Sequence, residues 1–193
     1  MIDGDRDVDT LILGIGNILW ADEGFGVRCV EELNARYEFD ENVRLMDGGT
    51  QGLFLLPWVS GVSRLLIFDA IDFGLEPGEF RVIRDDDVPK YMGAKKMSMH
   101  QTGFQEVLAS AQLLREGAQQ LALIGVQPER LDDFGGSLRD GTRKRIPEAL
   151  ASARQILDEW GVVMHERKTP LAEAELIGPQ ELDLPRYEQE RTL

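Results

Sequence analysis

"TLILGIGNILWADEGFG", residues 10–26, decides how this chain is read. Its first six residues form a continuous aliphatic run, the pattern of a short strand buried on both faces. Gly14 and Gly16 close that run, and from residue 24 onward Val27, Val30, Leu33 and Tyr37 recur at helical spacing. A strand, a glycine turn and a helix in this order open a βα unit. Where such a turn usually cradles a phosphate, this one offers Leu19, Trp20 and the acidic pair Asp22-Glu23.

Outward from this unit the same logic repeats. "VRLMD" (43–47) reads as a second strand ended by Gly48-Gly49, a short helix follows at 51–59, and "RLLIFDAI" (64–71) is a third buried strand. This β-α-β-α-β order predicts a parallel sheet with crossover helices. "EFRVIR" (79–84) alternates after the turn signal "LEPG", as an exposed antiparallel edge strand does. A helix over 102–116, a core strand at 120–126 and a strongly amphipathic helix over 146–160 complete the pattern. The expected fold is α/β: a single domain with a twisted, mostly parallel sheet, one antiparallel edge strand and helices on both faces. Residues 1–9 read as a flexible N-terminus, 10–164 as the domain, and 165–193, where prolines and charges replace periodicity, as a loose acidic tail.

Composition narrows the function. A chain of 193 residues suffices for one well-buried core. Its net charge of −14 argues against nucleic-acid binding, which needs a basic footprint. Cys29 is the single cysteine, so no internal disulfide forms, and its place inside the first helix reads as a small core residue. "MIDGDRDVD" is too polar for a signal peptide, and runs such as "LLIF" and "LALIGV" fall far short of a membrane span. The expectation is a cytoplasmic protein without membrane insertion.

Familiar motifs are then tested. Gly14-Ile15-Gly16, with Asp47 ending the next strand, has the placement of a dinucleotide site. Leu19 stands at the third glycine position, however, and Asp22 and Glu23 at the helix entry can cap its amides and repel a pyrophosphate. A G-x-S-x-G elbow is missing, and His165-Glu166 opens like a zincin motif but meets Thr169 where the second histidine would stand. What remains is polar groups at strand ends: Glu23 after the first strand, Asp47 ending the second and Asp69 ending the third. In an open parallel sheet these ends face one crevice. His100, in "KKMSMHQTGF", precedes the helix expected near Thr102. Asp69 and His100 each also admit a structural role, as a backbone cap and a helix-start residue. Two carboxylates and an imidazole from separate loops otherwise suit a divalent transition metal with open positions.

In order along the chain, "GIGNILWADEGFGVR", "DGGTQG", "LLIFDAID", "MSMHQ" and "GVQP" make it resemble the hydrogenase maturation endopeptidases, over residues 10–160. "LWADEGFG" and "LDDFGGSL" are most similar to the branch serving membrane-bound uptake hydrogenases. The resemblance implies that Glu23, Asp69 and His100 bind metal. It also implies a single cut, after nickel insertion, that removes the C-terminal extension of the nickel–iron hydrogenase large-subunit precursor. The nickel is then supplied by the substrate and serves as the recognition signal, and the site in the isolated protein is empty or holds another divalent metal. Two routes stay open for bond cleavage: metal polarisation of the carbonyl or of water, or metal-assisted positioning with Asp47 as general base. Asp47 alternatively caps the "GGT" turn. Gly48 and Gly49 are candidates for close approach of substrate backbone, and Asp132 and Asp133, in "LDDFGGSL", for precursor contact. A non-cleaving, nickel-sensing chaperone of the precursor shares all these motifs, whereas a dinucleotide-dependent oxidoreductase leaves "DAID" and "MSMHQ" unexplained.

Overall fold

The computed structural model describes residues 8–92, 99–131, 133–169 and 171, and only the backbone of residues 91, 92 and 99–102. The elements run β1 (Thr10–Ile15), α1 (Phe25–Arg36), β2 (Tyr37–Glu38), β3 (Val43–Gly49), α2 (Leu56–Val59), β4 (Arg64–Ala70) and β5 (Phe80–Arg84). They continue with α3 (Val88–Met92), α4 (Met99–Leu113), β6 (Gln120–Val126), α5 (Asp140–Arg143), α6 (Ile146–Glu159) and β7 (His165–Glu166). A five-stranded sheet has the order β3-β1-β4-β6-β5. Its first four strands are parallel and β5 runs antiparallel to β6, as the alternation in "EFRVIR" predicts.

Side chains alternate across the sheet and build a core on each face. Ile12, Leu66, Phe68 and Ile124 meet Phe25, Val30 and Leu33 of α1 and Ile156 and Leu157 of α6. Leu11, Leu13, Ile67 and Leu123 meet Leu55, Val59, Phe104 and Val107 on the other face. Cys29 lies in the first of these cores, fully buried, and burial pushes its thiol well above the ordinary range. The α/β architecture with helices on both faces is therefore the one expected. Chain order makes β1 the switch point: α1 carries the chain outward to β3, and α2 carries it back past β1 to β4. The crevice of a doubly wound sheet opens at such a reversal, outside the carboxyl ends of the strands.

Three boundaries differ from expectation. Helix α4 spans Met99–Leu113 rather than 102–116, so His100 sits in its first turn and not ahead of it. The helix stops because Arg115 enters the left-handed region (φ 61°), and the amides of Arg115 and Glu116 turn back to the carbonyls of Gln112 and Ala111. Leu114, expected on the buried face, is consequently exposed. Helix α1 ends at Arg36 because Tyr37 becomes extended and pairs with Glu166, while Glu38 pairs with His165. The boundary expected at residue 164 thus falls early: Arg167 also donates from its main-chain N–H to the Arg36 carbonyl and from Nε to that of Asn34. Residues 1–7 and 172–193, most of the two expected flexible ends, lie outside the described residues.

Glycines set how tightly the layers close. A Cβ on Gly26, in the first turn of α1, would lie 2.2 Å from the Phe68 carbonyl oxygen and 2.3 Å from that of Ile15. One on Gly14 would lie 2.5 Å from the Gly26 carbonyl oxygen. Helix α1 can therefore rest its first turn on the ends of β1 and β4 only without side chains there. Gly26→Ala is expected to lower unfolding free energy by roughly 3 kcal/mol or more, the upper range for overpacking a rigid contact. Urea denaturation of the two proteins checks this, and a loss under about 1 kcal/mol would mean the helix can shift outward at little cost.

Candidate active site

Glu23 reaches the crevice through a tight loop. After Gly16 (φ +126°) the chain turns back so closely that a Cβ there would lie 1.7 Å from the Glu23 carbonyl oxygen. The 3-10 turn Ala21–Gly24 follows, buried throughout, and packs against β4. This turn occupies the space in front of α1 that a pyrophosphate would need, which removes the dinucleotide reading. The expected capping by Asp22 and Glu23 is also corrected: the N-cap of α1 is Gly24, with no side-chain bond. Asp22 instead turns away, its Oδ2 accepting from the Glu129 amide (2.9 Å) and its Oδ1 from the Arg139 amide (3.0 Å).

Asp69 is the penultimate residue of β4, fully buried and paired in register with Gly125. Because Gly26 touches the carbonyl of Phe68, the loop carrying Glu23 and the strand end carrying Asp69 are drawn to one place. Glu23 is only 7 % exposed, and burial raises its carboxyl from 4.5 to about 7. His100 comes from the opposite layer, in the first turn of α4. That helix leans on the loop after β3, where a Cβ on Gly103 would stand 3.1 Å from the Gly52 Cα. The His100 side chain lies outside the described residues, and among the described side chains no three metal-binding groups cluster. A buried carboxyl that gives up its proton near neutrality and a second buried carboxyl are oxygen donors of the kind divalent transition metals accept. The donors present therefore fit a cation.

Asp47 lies two residues before the end of β3, opposite Gly14, where the ladder bulges so that Ile15 pairs with Gly49. Its Oδ1 accepts from the Gly49 amide at 2.8 Å, the turn-capping role. Burial pushes its carboxyl upward against that hydrogen bond and the nearby charge of Arg28, itself buried in α1 and bonded to Glu31. Gly49 takes φ +47°, a conformation side chains rarely adopt. Gly48 is buried, and a Cβ there would lie 2.8 Å from Leu13 Cδ1, so internal packing accounts for its small size. Asp133 pairs with Arg139 at 2.6 Å, on the wall formed by the chain leaving β6. Asp132 lies outside the described residues.

Sequence reasoning missed two outcrops beside these loops. Leu53 and Phe54 are exposed, Phe54 at 83 %, just after the Gly49 turn. Phe134 is 70 % exposed and stands edge-on to Trp20 at 5.4 Å, near the partly exposed Leu19. Their signal was a bare Leu-Phe after a glycine and an aromatic within a charged loop, neither of which has a periodicity to mark it.

The raised Glu23 carboxyl fixes a pH dependence. Because its folded value (about 7) exceeds its ordinary 4.5, ionisation opposes folding. The penalty is absent below pH 4.5, grows up to pH 7 and is constant above. Glu23→Gln should therefore be more stable than the parent at pH 8, by on the order of 1–3 kcal/mol, and no more stable at pH 4. Chemical denaturation at both pH values checks this, and an equal difference at each would contradict it.

Comparison with known proteins places the chain in a family. Residues 27–156 fit the family model for hydrogenase maturation protease. The chain is 56 % identical to the hydrogenase expression/formation protein HupM of Azotobacter chroococcum over 94 % of its length and 85 % of that protein's. It is 52 % identical to the hydrogenase expression/formation protein HupD of Bradyrhizobium diazoefficiens, covering 95 % of both chains. Among solved structures, the hydrogenase maturating endopeptidase HybD of Escherichia coli superposes with a TM-score of 0.77 at 38 % identity, covering 82 % of this chain and 97 % of HybD. The chain is therefore a peptide-bond hydrolase and a member of the hydrogenase maturation protease family.

Proposed function

We propose that this protein removes the C-terminal extension of a nickel–iron hydrogenase large-subunit precursor after nickel insertion, in the cytoplasm, and that nickel carried by the precursor is its recognition signal. The observation that carries the proposal is the buried pair Glu23 and Asp69, on the turn before α1 and the end of β4, which Gly26 draws together. With His100 they would complete the coordination of a nickel already held by precursor cysteines, so the metal belongs to the substrate. Bound there, the cation would supply charge to polarise a carbonyl or a water. Leu53, Phe54 and Phe134 offer apolar surface beside the crevice for a protein substrate.

Asp47 supplies the base. Burial raises its proton affinity while Arg28 and the Gly49 amide favour the ionised form, which suits a group that must take a proton and release it. Water attacks the scissile carbonyl carbon, its proton passes to the Asp47 carboxylate, and the same proton leaves on the amine of the departing peptide. Gly49 contributes backbone that a substrate strand can approach closely.

Intact mass spectrometry of nickel-loaded and nickel-free precursor, incubated with the protein, tests the reading. Only the nickel-loaded precursor should shorten. Folded Glu23→Gln, Asp69→Asn and His100→Ala proteins should leave it intact, and Asp47→Asn should slow shortening by about 10²–10⁴-fold. Binding without shortening would replace the endopeptidase by a chaperone of the same precursor.

A further inference from the structure

Glu23 and Asp69 leave different strands, so their separation depends on what ties the loop after β1 to the loop after β4. Both are gripped by the chain leaving β6. Its first residue, Gln127, is buried, and its Oε1 accepts from the amides of Phe73 (2.8 Å) and Leu75 (3.1 Å). Its Nε2 donates to Asp72 Oδ1 (3.1 Å) and to the Pro128 carbonyl (3.3 Å). The Gln127 main chain bonds the same loop further on, donating to Glu79 and accepting from Gly78. One amide side chain thus uses its full bonding capacity, mostly on the residues just past Asp69.

The other grip falls on the loop that carries Glu23. Asp22, fully buried, accepts from the amides of Glu129 and Arg139, one on each carboxylate oxygen. Ala21 donates to the Gly136 carbonyl (2.9 Å), and Gly135 donates to that of Leu19 (2.8 Å). Ala21 is held at φ 45°, which a residue with a side chain keeps only when its surroundings over-determine it.

We propose that the chain leaving β6 is a brace setting the position of Glu23 relative to Asp69, with Asp22 and Gln127 as its two positioning residues. The inference rests on the reading that Glu23 and Asp69 act together. Charge-assisted bonds from a buried carboxylate are the strong kind, and replacing it by an amide turns an acceptor into a donor facing an N–H. Damage at one grip then loosens the other, because both act on one segment.

Amide hydrogen exchange on the full chain, with cleavage kinetics on nickel-loaded precursor, tests this. Asp22→Asn should speed exchange at Phe73 and Leu75 by about tenfold, although those amides bond Gln127. Gln127→Ala should do the same at Ala21 and Gly135, and it tests the brace alone should Asp22→Asn not fold. For both, kcat should fall about tenfold with KM within about twofold, as when partners behind a ligand are lost. Faster exchange confined to the amides that bond the altered side chain, or unchanged kcat in a protein with loosened loops, overturns the brace. A parent protein that leaves the precursor intact refutes the proposed function instead, and the exchange pattern then decides the brace by itself.

Discussion

Between the carbonyl oxygens of Ile15 and Phe68 there is no room for a side chain on residue 26, and the first turn of α1 rests on the ends of two strands because glycine stands there. The remaining crevice geometry follows from that contact. It forces the loop from Gly16 to Gly24 to fold back on itself, so that the Glu23 carbonyl fits against Gly16 and the turn Ala21–Gly24 is buried. It also sets Glu23 beside the end of β4, where Asp69 is the next residue after the one Gly26 touches. A helix standing off by one methyl group would widen the junction and open the turn to water. Desolvation of Glu23, the cause of its raised proton affinity, would then be lost.

Asp22 and Glu23 are adjacent in sequence and both buried, yet their surroundings assign them opposite tasks. Asp22 faces two backbone amides that stabilise a carboxylate, which makes it a fixed point of the structure. Glu23 lies in a desolvated turn and holds its proton up to about pH 7, so its charge depends on its surroundings near neutral pH. Environment rather than residue type separates an anchoring acid from a working one. In a chain of net charge −14 such acids cannot be recognised by composition, and burial is what distinguishes them from the solvated majority.

The sheet was legible because buried strands and amphipathic helices carry strong periodicity, and "TLILGI", "RLLIFDAI" and "QLALIGV" occupy β1, β4 and β6 nearly residue for residue. The pairing of β2 with β7 was not, since two-residue strands joined across more than a hundred positions leave no local pattern. The end of helix α4 was misplaced because its stop depends on a left-handed Arg115 rather than on a glycine or proline signal. Strand-end logic put Asp47 and Asp69 near the carboxyl ends of their strands and Glu23 in the loop after β1, where the structure has them. It assigned Asp22 to helix capping because an acid before a helix usually does that, whereas its partners lie more than a hundred residues away. Gln127 had been read only as part of a motif, and its use emerges when the loops after β4 and β6 are seen together.

The raised carboxyl also bears on how an enzyme of this design would tell a finished substrate from an unfinished one. On the proposed function, a free cation entering near neutral pH would have to displace the Glu23 proton and shed its own water in return for its protein ligands. Nickel delivered on a precursor would already have exchanged water for sulfur, so it would give up less on entry and leave fewer positions to fill. Precursor without nickel would bring no charge to draw the proton off, and near pH 7 Glu23 would remain about half protonated. On the proposed function, discrimination would need no separate sensor, because completing a shared coordination shell would favour the ionised form of one buried acid and that ionised form would in turn favour the shell.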